Sequence, residues 1–490
     1  MHDKKRKMSK NLSENLDVIQ SDFGKTQDVK IRKAFVSKRE CAFLLCDGLV
    51  NSIQMSELVV NPIMRSESEN SDPHLQFCVI RDCVSNAVEQ MEVETIDEIE
   101  LFMMSGFVVF LLDGVDKALV MGSQGWIKRA VMEPTSEAMG KGAKECFIES
   151  LNDNVALVRK RLKTPMLRFE PMKIGKDAPT NVALTYIKGK ADERIVDEVR
   201  KRLQKIPADR VVDYGCIQPF LDTDRLSFFT AVGNTERPDT LCAKLMEGRV
   251  AVMVDGTPFV IFVPYLFSEN FQSLDDYDNR PYYSTFIRIL KYISFVLSLL
   301  VPGVYVAVGT FHQELLPATF LYNVASAENK TPLNLMAEAI LILFMYEVMR
   351  EAGLRLPKTF GHAVSIIGGI VIGDAAVNAG LIGAPMLIVV AITAISSYVV
   401  YPLYEPVSVL RFFFVIAGGT MGLYGTMILL SVLTVNAAAI SPYGVAYTSP
   451  DAPFDKRSFV DNIFRFGWKT LYKKPMKVQD LKGSDIDEIL

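Results

Sequence analysis

The stretch APMLIVVAITAISSYVVYPL, residues 384–403, runs for twenty residues without a charged side chain. At about 1.5 Å of rise per residue, a helix of this length crosses the roughly 30 Å hydrocarbon core of a bilayer. Helices in the core of soluble proteins rarely stay uncharged over such a distance. The stretch therefore predicts a membrane-spanning helix.

The surrounding sequence extends this prediction to a whole domain. Four more apolar segments occur at residues 292–311, 333–349, 363–382 and 410–435. Over residues 292–450, Lys and Arg occur only at Lys330, at Arg411 and within residues 350–358. The composition before residue 275 is that of an ordinary soluble protein. We expect a soluble α/β N-terminal region of two lobes, followed by a polytopic all-α membrane domain over residues 285–440.

The two lobes are predicted from an internal repeat. The string GFVVFLLDG at residues 106–114 recurs as GRVAVMVDG at residues 248–256, and a helix-like stretch precedes each copy. Six mostly strand-forming residues followed by Asp-Gly are typical of a strand that ends in a tight turn. The repeat predicts two related α/β lobes, at residues 29–132 and 166–275.

The Asp residues of the repeat, Asp113 and Asp255, are a candidate carboxylate pair for acid–base chemistry. The Asp-Gly turn explains both without catalysis, and we favour that interpretation. No glycine-rich phosphate loop, zinc-protease motif or nucleophile-elbow motif occurs, and the chain has four His and seven scattered Cys. The sequence predicts neither an enzyme nor a site for a metal or cofactor.

Three segments flank or join these domains. Residues 1–28 are expected to be disordered, residues 133–165 to form a charged helical connector, and residues 451–490 to form a basic cytoplasmic tail. The net charge of −4 argues against a nucleic-acid partner, because such proteins concentrate positive charge on one face.

The charged flanks predict the orientation in the membrane. Basic residues precede the first apolar segment and fill the tail after residue 454, so both ends are expected to be cytoplasmic. Five crossings cannot return a chain to the side where it began. One segment is therefore expected to be re-entrant or interfacial, and the candidates are residues 333–349 and 363–382. We favour the second, because it keeps Arg350 and Arg355 inside.

The segment 363–382 carries the candidate pore. Small residues recur there at every fourth position and leave one helix face almost without side chains; they are Gly361, Ser365, Gly369 and Gly373. Such a face lets membrane helices approach closely. Asp374 and Asn378 follow on the same helix, and a charge at membrane depth costs at least ~2.5 kcal/mol unless it meets water or a partner. We place Ser365, Gly369, Gly373, Asp374 and Asn378 at a pore or gate. The alternative is an Asp near the membrane surface that caps or pairs with another helix.

A second charged group ends the segment 333–349. Glu347, Arg350, Glu351 and Arg355 follow each other largely at steps of three and four residues, which places them within reach of each other on a helix. We interpret them as structural ion pairs at the membrane surface.

From about residue 30 to its end, the chain resembles the A subunits of the GerA-type spore germination receptors. Long ungapped strings carry the resemblance; they are Glu133-Pro134 with Glu137, then Glu145, Phe147, Glu149, Asn154, residues 159–161 and Pro165, residues 236–239, 247–249 and 254–258, and residues 350–357. Residues 327–332, 361–366 and 383–386 resemble the stage V sporulation branch of this family. Residues 141–143 depart from the family pattern, which argues against nutrient sensing in a receptor complex.

The resemblance implies a protein of the spore inner membrane that acts in germination. It implies a homo-oligomer around a pore that conducts monovalent cations, with other membrane germination subunits as partners. The alternative is a non-conducting scaffold that recruits those partners. A secondary transporter is a third possibility, but the inverted repeats that it calls for are not visible in the sequence.

Overall fold

The computed structural model describes residues 6–66, 72–84, 88–125, 137, 141–207, 209, 211–224, 227–356, 373, 375–455, 458–471 and 476–486. Over these residues the chain forms two α/β lobes and a bundle of apolar helices. The described residues after 439, here called the C-terminal segment, pack back on the second lobe.

Lobe 1 is built on a five-stranded antiparallel sheet with the order β1-β2-β4-β5-β3. Its strands are β1 (Val29–Val36), β2 (Arg39–Cys46), β3 (Gln90–Val93), β4 (Phe107–Leu112) and β5 (Ala118–Gly122). Helices α1 (Leu12–Phe23) and α3 (Ile96–Met103) cover one face. Helix α2 (Pro73–Cys83) and the helical run formed by Ser52–Gln54, Met55–Val60 and Asn61–Met64 cover the other. Because both faces are covered, the central strands are apolar throughout.

Lobe 2 repeats this plan with the strand order β6-β7-β9-β10-β8. Its strands are β6 (Leu167–Ile174), β7 (Thr180–Ile187), β8 (Gly233–Thr235), β9 (Val250–Val254) and β10 (Val260–Val263). Helices α4 (Leu151–Arg161) and α6 (Pro238–Met246) cover one face, and α5 (Glu193–Gln204) covers the other. Short helical turns lie at Tyr214–Cys216, Gln218–Leu221, Phe267–Phe271 and Asp275–Asp278. The identical strand order confirms the two related lobes that the repeat predicts.

Each lobe starts earlier in the chain than expected, with a helix before its first strand. This finding corrects two predictions. Residues 1–28 are not disordered throughout, because Leu12–Phe23 forms α1 and buries an apolar side against the sheet of lobe 1. Within its described residues, 137 and 141–165, the connector 133–165 is helical only at Leu151–Arg161, and this helix packs into lobe 2. Residues 141–150 form no helix. The two helices occupy equivalent positions, so each lobe begins with a helix that covers its own sheet.

The chain after residue 440, including described residues of the predicted basic tail 451–490, packs on lobe 2. Tyr443 is 3% exposed within the core of this lobe, and its hydroxyl donates to the carbonyl oxygen of Leu221 at 2.7 Å. Val478 donates its backbone N–H to the carbonyl oxygen of Glu247 at 2.9 Å. Short helical turns occur at Pro442–Gly444, Ser458–Val460, Trp468–Leu471 and Val478–Asp480. The charge predicts a basic cytoplasmic tail, and the apolar side chains of Val478 and Leu481 pack it against Leu266 of lobe 2.

Over its described residues the bundle contains five helices longer than a single turn. They are α7 (Pro281–Phe311), α8 (Ala318–Glu328), α9 (Leu335–Arg355), α10 (Ala384–Val399) and α11 (Tyr404–Ala439), with short turns at Gln313–Leu315, Ala376–Asn378 and Tyr401–Leu403. Among the described residues, two helical runs, Pro281–Phe311 and Tyr401–Ala439, are long and apolar enough to cross a membrane. Helix α10 is a shorter apolar helix.

Helix α11 is a hairpin of two arms. Gly422 has φ 64° and ψ −152°, which interrupts the helix between residues 404–421 and 423–439. A Cβ added to Gly425 would lie 2.5 Å from the carbonyl oxygen of Ala417. Residues eight apart in a straight helix are separated by about 12 Å, so the arms fold back on each other. The prediction of one closing crossing over residues 410–435 is therefore wrong in this part of the chain: the apolar sequence continues without a break through the turn.

The bundle has a lobe side and a far side. At the lobe side, Arg350, Leu354 and Tyr401 line a cleft of about 2210 Å³ together with Tyr214 and Lys244 of lobe 2. At the far side, the end of α7 meets the start of α9, where a Cβ added to Gly309 would lie 2.4 Å from Leu335.

Candidate functional site

The predicted pore residues fall only partly within the described chain. Ser365, Gly369 and Asp374 lie outside the described residues. Asn378 is exposed at the end of the short turn Ala376–Asn378. A Cβ added to Gly373 would make an ordinary contact of 3.5 Å with Leu387 of α10. The structure thus places Gly373 beside α10 and leaves the pore assignment a prediction.

Two described residues, Leu354 before the segment 363–382 and Gly380 near its end, lie at opposite sides of the bundle. Helix α9 ends at the lobe side, where Leu354 lines the cleft. Gly380 lies at the far side, where a Cβ added to it would lie 2.9 Å from the carbonyl oxygen of Lys330. Most of the segment between them lies outside the described residues, so the re-entrant assignment of residues 363–382 stays a prediction.

The predicted ion pairs lie together on the last turns of α9. Arg350 Nε is 3.1 Å from Glu347 Oε2, and Arg355 Nη2 is 2.7 Å from Glu351 Oε1. The guanidinium group of Arg350 also lies 4.0 Å from the ring centre of Tyr404. These contacts make the end of α9 a compact charged cluster at the lobe side.

Arg411 belongs to the same cluster, and the sequence analysis missed this. It lies on the first arm of α11, is fully buried, and forms an ion pair with Glu347. The hydroxyl of Tyr404 donates to Glu347 Oε2 at 2.9 Å. A lone Arg in an apolar stretch calls for a partner in a neighbouring helix, and that signal was available in the sequence. The cluster fixes α9 against α11.

Arg288, one of the basic residues used to orient the chain, is also structural. It is fully buried near the start of α7, where Nε lies 2.7 Å from Asp276 Oδ2 and Nη1 lies 3.0 Å from Asp461 Oδ1. The network joins lobe 2, the first membrane helix and the C-terminal segment. Two carboxylates compensate the charge of Arg288, so it adds little to the positive charge from which the orientation in the membrane is predicted.

Several of the residues that carry the family resemblance hold the lobes together. Arg159 of lobe 2 makes two hydrogen bonds to Asp28 of lobe 1, at 2.6 and 3.1 Å, and both side chains are almost completely buried. Asn154 bonds the backbone of Ile148 in both directions, as Asn15 does with Ser9 in lobe 1. These residues therefore have structural roles.

The Asp residues of the repeat cap helices. Asp113 Oδ1 accepts from the N–H of Leu12 at 3.1 Å, and Asp255 Oδ1 accepts from the N–H of Leu151 at 3.1 Å. Each carboxylate therefore satisfies a free amide at the start of the first helix of its lobe. The two groups lie in different lobes and form no pair for acid–base chemistry.

Duplicated α/β lobes joined to a bundle of apolar helices define a membrane protein with a large soluble region. The model of the Bacillus/Clostridium GerA spore germination protein family matches residues 17–477. The chain belongs to this family of spore germination proteins, as the resemblance predicts.

Individual relatives cover nearly the whole chain. Spore germination protein KA of Bacillus subtilis (strain 168) is 36% identical over 476 residues, covering 96% of this chain and 87% of that protein. Spore germination protein GerLA of Bacillus cereus is 33% identical over 473 residues, covering 96% of each chain. The crystal structure of the N-terminal domain of the A subunit of the Bacillus megaterium spore germinant receptor GerK3 covers 54% of this chain and 99% of that one, with 29% identity and a TM-score of 0.44.

Proposed function

We propose that the protein is a homo-oligomeric, cation-conducting subunit of the spore inner membrane, of the A-subunit type, that releases monovalent cations during germination. In this proposal it is a multi-pass protein with both ends cytoplasmic, it works with other membrane germination subunits, and it belongs to the SpoVAF-type branch. Membership of the GerA family and the relatives' names as spore germination proteins support a role in germination.

One observation carries the proposal of a pore. Leu354, before the segment 363–382, and Gly380, near its end, lie at opposite sides of the bundle. A segment with these ends has the path of a membrane crossing, and its sequence combines a small-residue face with Asp374. Several copies of such a helix would set a ring of carboxylates around a central path, which concentrates cations and excludes anions.

The C-terminal segment supports a shared side for both ends of the chain. Tyr443 and Ile486 are both buried in the core of lobe 2, so the described C-terminal residues lie on the same side of the bundle as the N-terminal lobes. The hairpin at Gly422 supplies the additional crossing that makes this possible without a re-entrant segment.

The test is cation flux through the purified full-length protein in liposomes. Asp374→Asn keeps the size of the side chain and removes its charge, so we expect K⁺ flux or selectivity over Cl⁻ to fall by about tenfold at unchanged membrane abundance. Asp374→Lys reverses the field and should reduce flux further. Glu314→Gln, at an exposed carboxylate of the far-side loop, is the matched control.

The non-conducting scaffold predicts a different pattern. Wild-type liposomes would then leak no faster than empty ones. If Asp374 only caps or pairs, Asp374→Asn would instead leave selectivity unchanged and lower the protein level. Equal selectivity in wild type, Asp374→Asn and Asp374→Lys at equal abundance would remove Asp374 from the pore.

A further inference from the structure

A carboxylate with an unmatched oxygen lies at the far side of the bundle. Glu338, on the first turn of α9, has no exposed surface. Its Oε1 accepts the backbone N–H of Gly383 at 2.7 Å, which stabilises the start of α10. Its Oε2 is buried and has no hydrogen-bond partner within the described part of the chain. A buried carboxylate oxygen without a donor is costly, so this atom calls for a proton or a cation beside it.

Two further oxygen groups converge on Glu338. Glu328, the last residue of α8, brings its carboxyl group to that of Glu338. Tyr305 of α7 lies close to both, and its hydroxyl is also buried without a hydrogen-bond partner among the described residues. Three helices thus present oxygen atoms to one place, and two of the side chains carry unmatched atoms.

No basic side chain balances the two carboxylates. Among the described residues, neither Glu328 nor Glu338 takes part in an ion pair with Lys, Arg or His. This contrasts with the lobe side, where Arg350 and Arg411 both pair with Glu347. Two like charges held together in a low-dielectric setting require a cation or a proton between them.

We propose that Glu328, Glu338 and Tyr305 bind one hard divalent cation, of which Ca²⁺ fits best. The donors are all oxygen atoms, which hard cations prefer, and a charge of two balances two carboxylates. Ca²⁺ accepts irregular geometry from separate helices and completes its shell with water, whereas Mg²⁺ demands an octahedron. With only three protein side chains as ligands, we expect the weak Ca²⁺ affinity of Ca²⁺-binding extracellular modules, a Kd of about 0.1–1 mM.

The bound cation would tie α7, α8 and α9 to the start of α10. Since Gly383 already holds Glu338 through Oε1, neutralising Oε2 fixes the carboxylate in that position. The site stabilises the far side whether or not the protein conducts ions, so it does not depend on the proposed function.

The test is thermal melting of the full-length protein in nanodiscs of phosphatidylcholine, a neutral lipid, with CaCl₂ from 0 to 10 mM at constant ionic strength. We expect the melting temperature of the wild type to rise by about 2–4 °C, and MgCl₂ to raise it less. Glu328→Gln and Glu338→Gln should abolish the rise, while Glu314→Gln, at an exposed carboxylate of the same side, should keep it.

A milder variant protects the test against misfolding. Tyr305→Phe keeps the ring and removes one neutral ligand, so it should fold and raise the Ca²⁺ midpoint several-fold. The proposal is overturned if the wild type shows no rise, or if Glu328→Gln and Glu338→Gln show the same rise as wild type. Stabilisation that depends on pH and not on Ca²⁺ would also overturn it, because the two carboxylates would then share a proton.

Discussion

Asp113 and Asp255 show how a candidate catalytic pair becomes structural at the scale of single residues. Each accepts the first free N–H of a helix, at Leu12 or Leu151. Asp113→Ala or Asp255→Ala should therefore destabilise its lobe by about 0.5–2 kcal/mol, the usual loss for a helix cap, without changing ion flux.

Thermal melting of the full-length protein in detergent measures this effect. Asp116→Ala, at a half-buried Asp in the turn after β4, is the matched control and should melt like the wild type. Loss of flux in Asp113→Ala at unchanged melting temperature would contradict a purely structural role.

Glu100 in lobe 1 predicts a dependence of stability on pH. It is 4% exposed, and burial, together with the neighbouring Asp22, raises its pKa to about 7. Arg6 contacts it at 3.3 Å. Since the folded state holds this proton more tightly than the unfolded state, the contribution of Glu100 is most favourable below about pH 4.5 and is lost as the pH rises through 7.

Glu100→Gln removes that titration. We expect the variant to gain about 1–3 kcal/mol over the wild type at pH 8 and little at pH 5, seen as a melting temperature that changes less with pH. Glu57→Gln, at an exposed position, should follow the wild type at both pH values. A variant whose melting temperature falls as steeply as that of the wild type between pH 5 and 8 would contradict this account.

At the scale of elements, Gly422 makes the hairpin of α11. Its φ of 64° with ψ of −152° lies in a region that only glycine adopts readily, and an added Cβ would lie 3.2 Å from that of Phe311. Gly422→Ala should cost about 1–3 kcal/mol and reduce the amount of folded protein in the membrane.

The measurement is membrane abundance together with the melting temperature in detergent. Gly467→Ala is the control, since an added Cβ there meets nothing within 4 Å. Normal abundance and melting of Gly422→Ala would mean that α11 tolerates a different turn.

The same helix shows what a sequence pattern reveals and what it hides. Uncharged length predicts the apolar helices well, because the bilayer imposes it. That criterion does not detect the turn at Gly422, since residues 417–425 around it are all uncharged. The start of each lobe was missed for a related reason. Helix α1 is amphipathic, with its buried side formed by Leu12, Leu16 and Ile19, and a polar composition concealed that pattern.

At the scale of the whole molecule, buried charges join the parts. Arg159 links the two lobes, Arg288 links lobe 2 to α7 and the C-terminal segment, and Arg411 links α9 to α11. The sequence shows these Arg residues but not their partners, which lie 131, 12 and 64 positions away. The soluble lobes and the bundle are therefore mechanically connected, and movement of lobe 2 can reach the lobe side of the helices through Arg288.

The central claim is that several copies of this chain form a cation path. The most direct measurement is conductance of the purified full-length protein in a planar bilayer, with the mass of the same preparation determined in detergent. We predict discrete conductance steps that favour K⁺ over Cl⁻, from a species of several times 54.7 kDa. A monomeric or oligomeric species that reconstitutes efficiently and passes no current would contradict the account and leave the non-conducting scaffold.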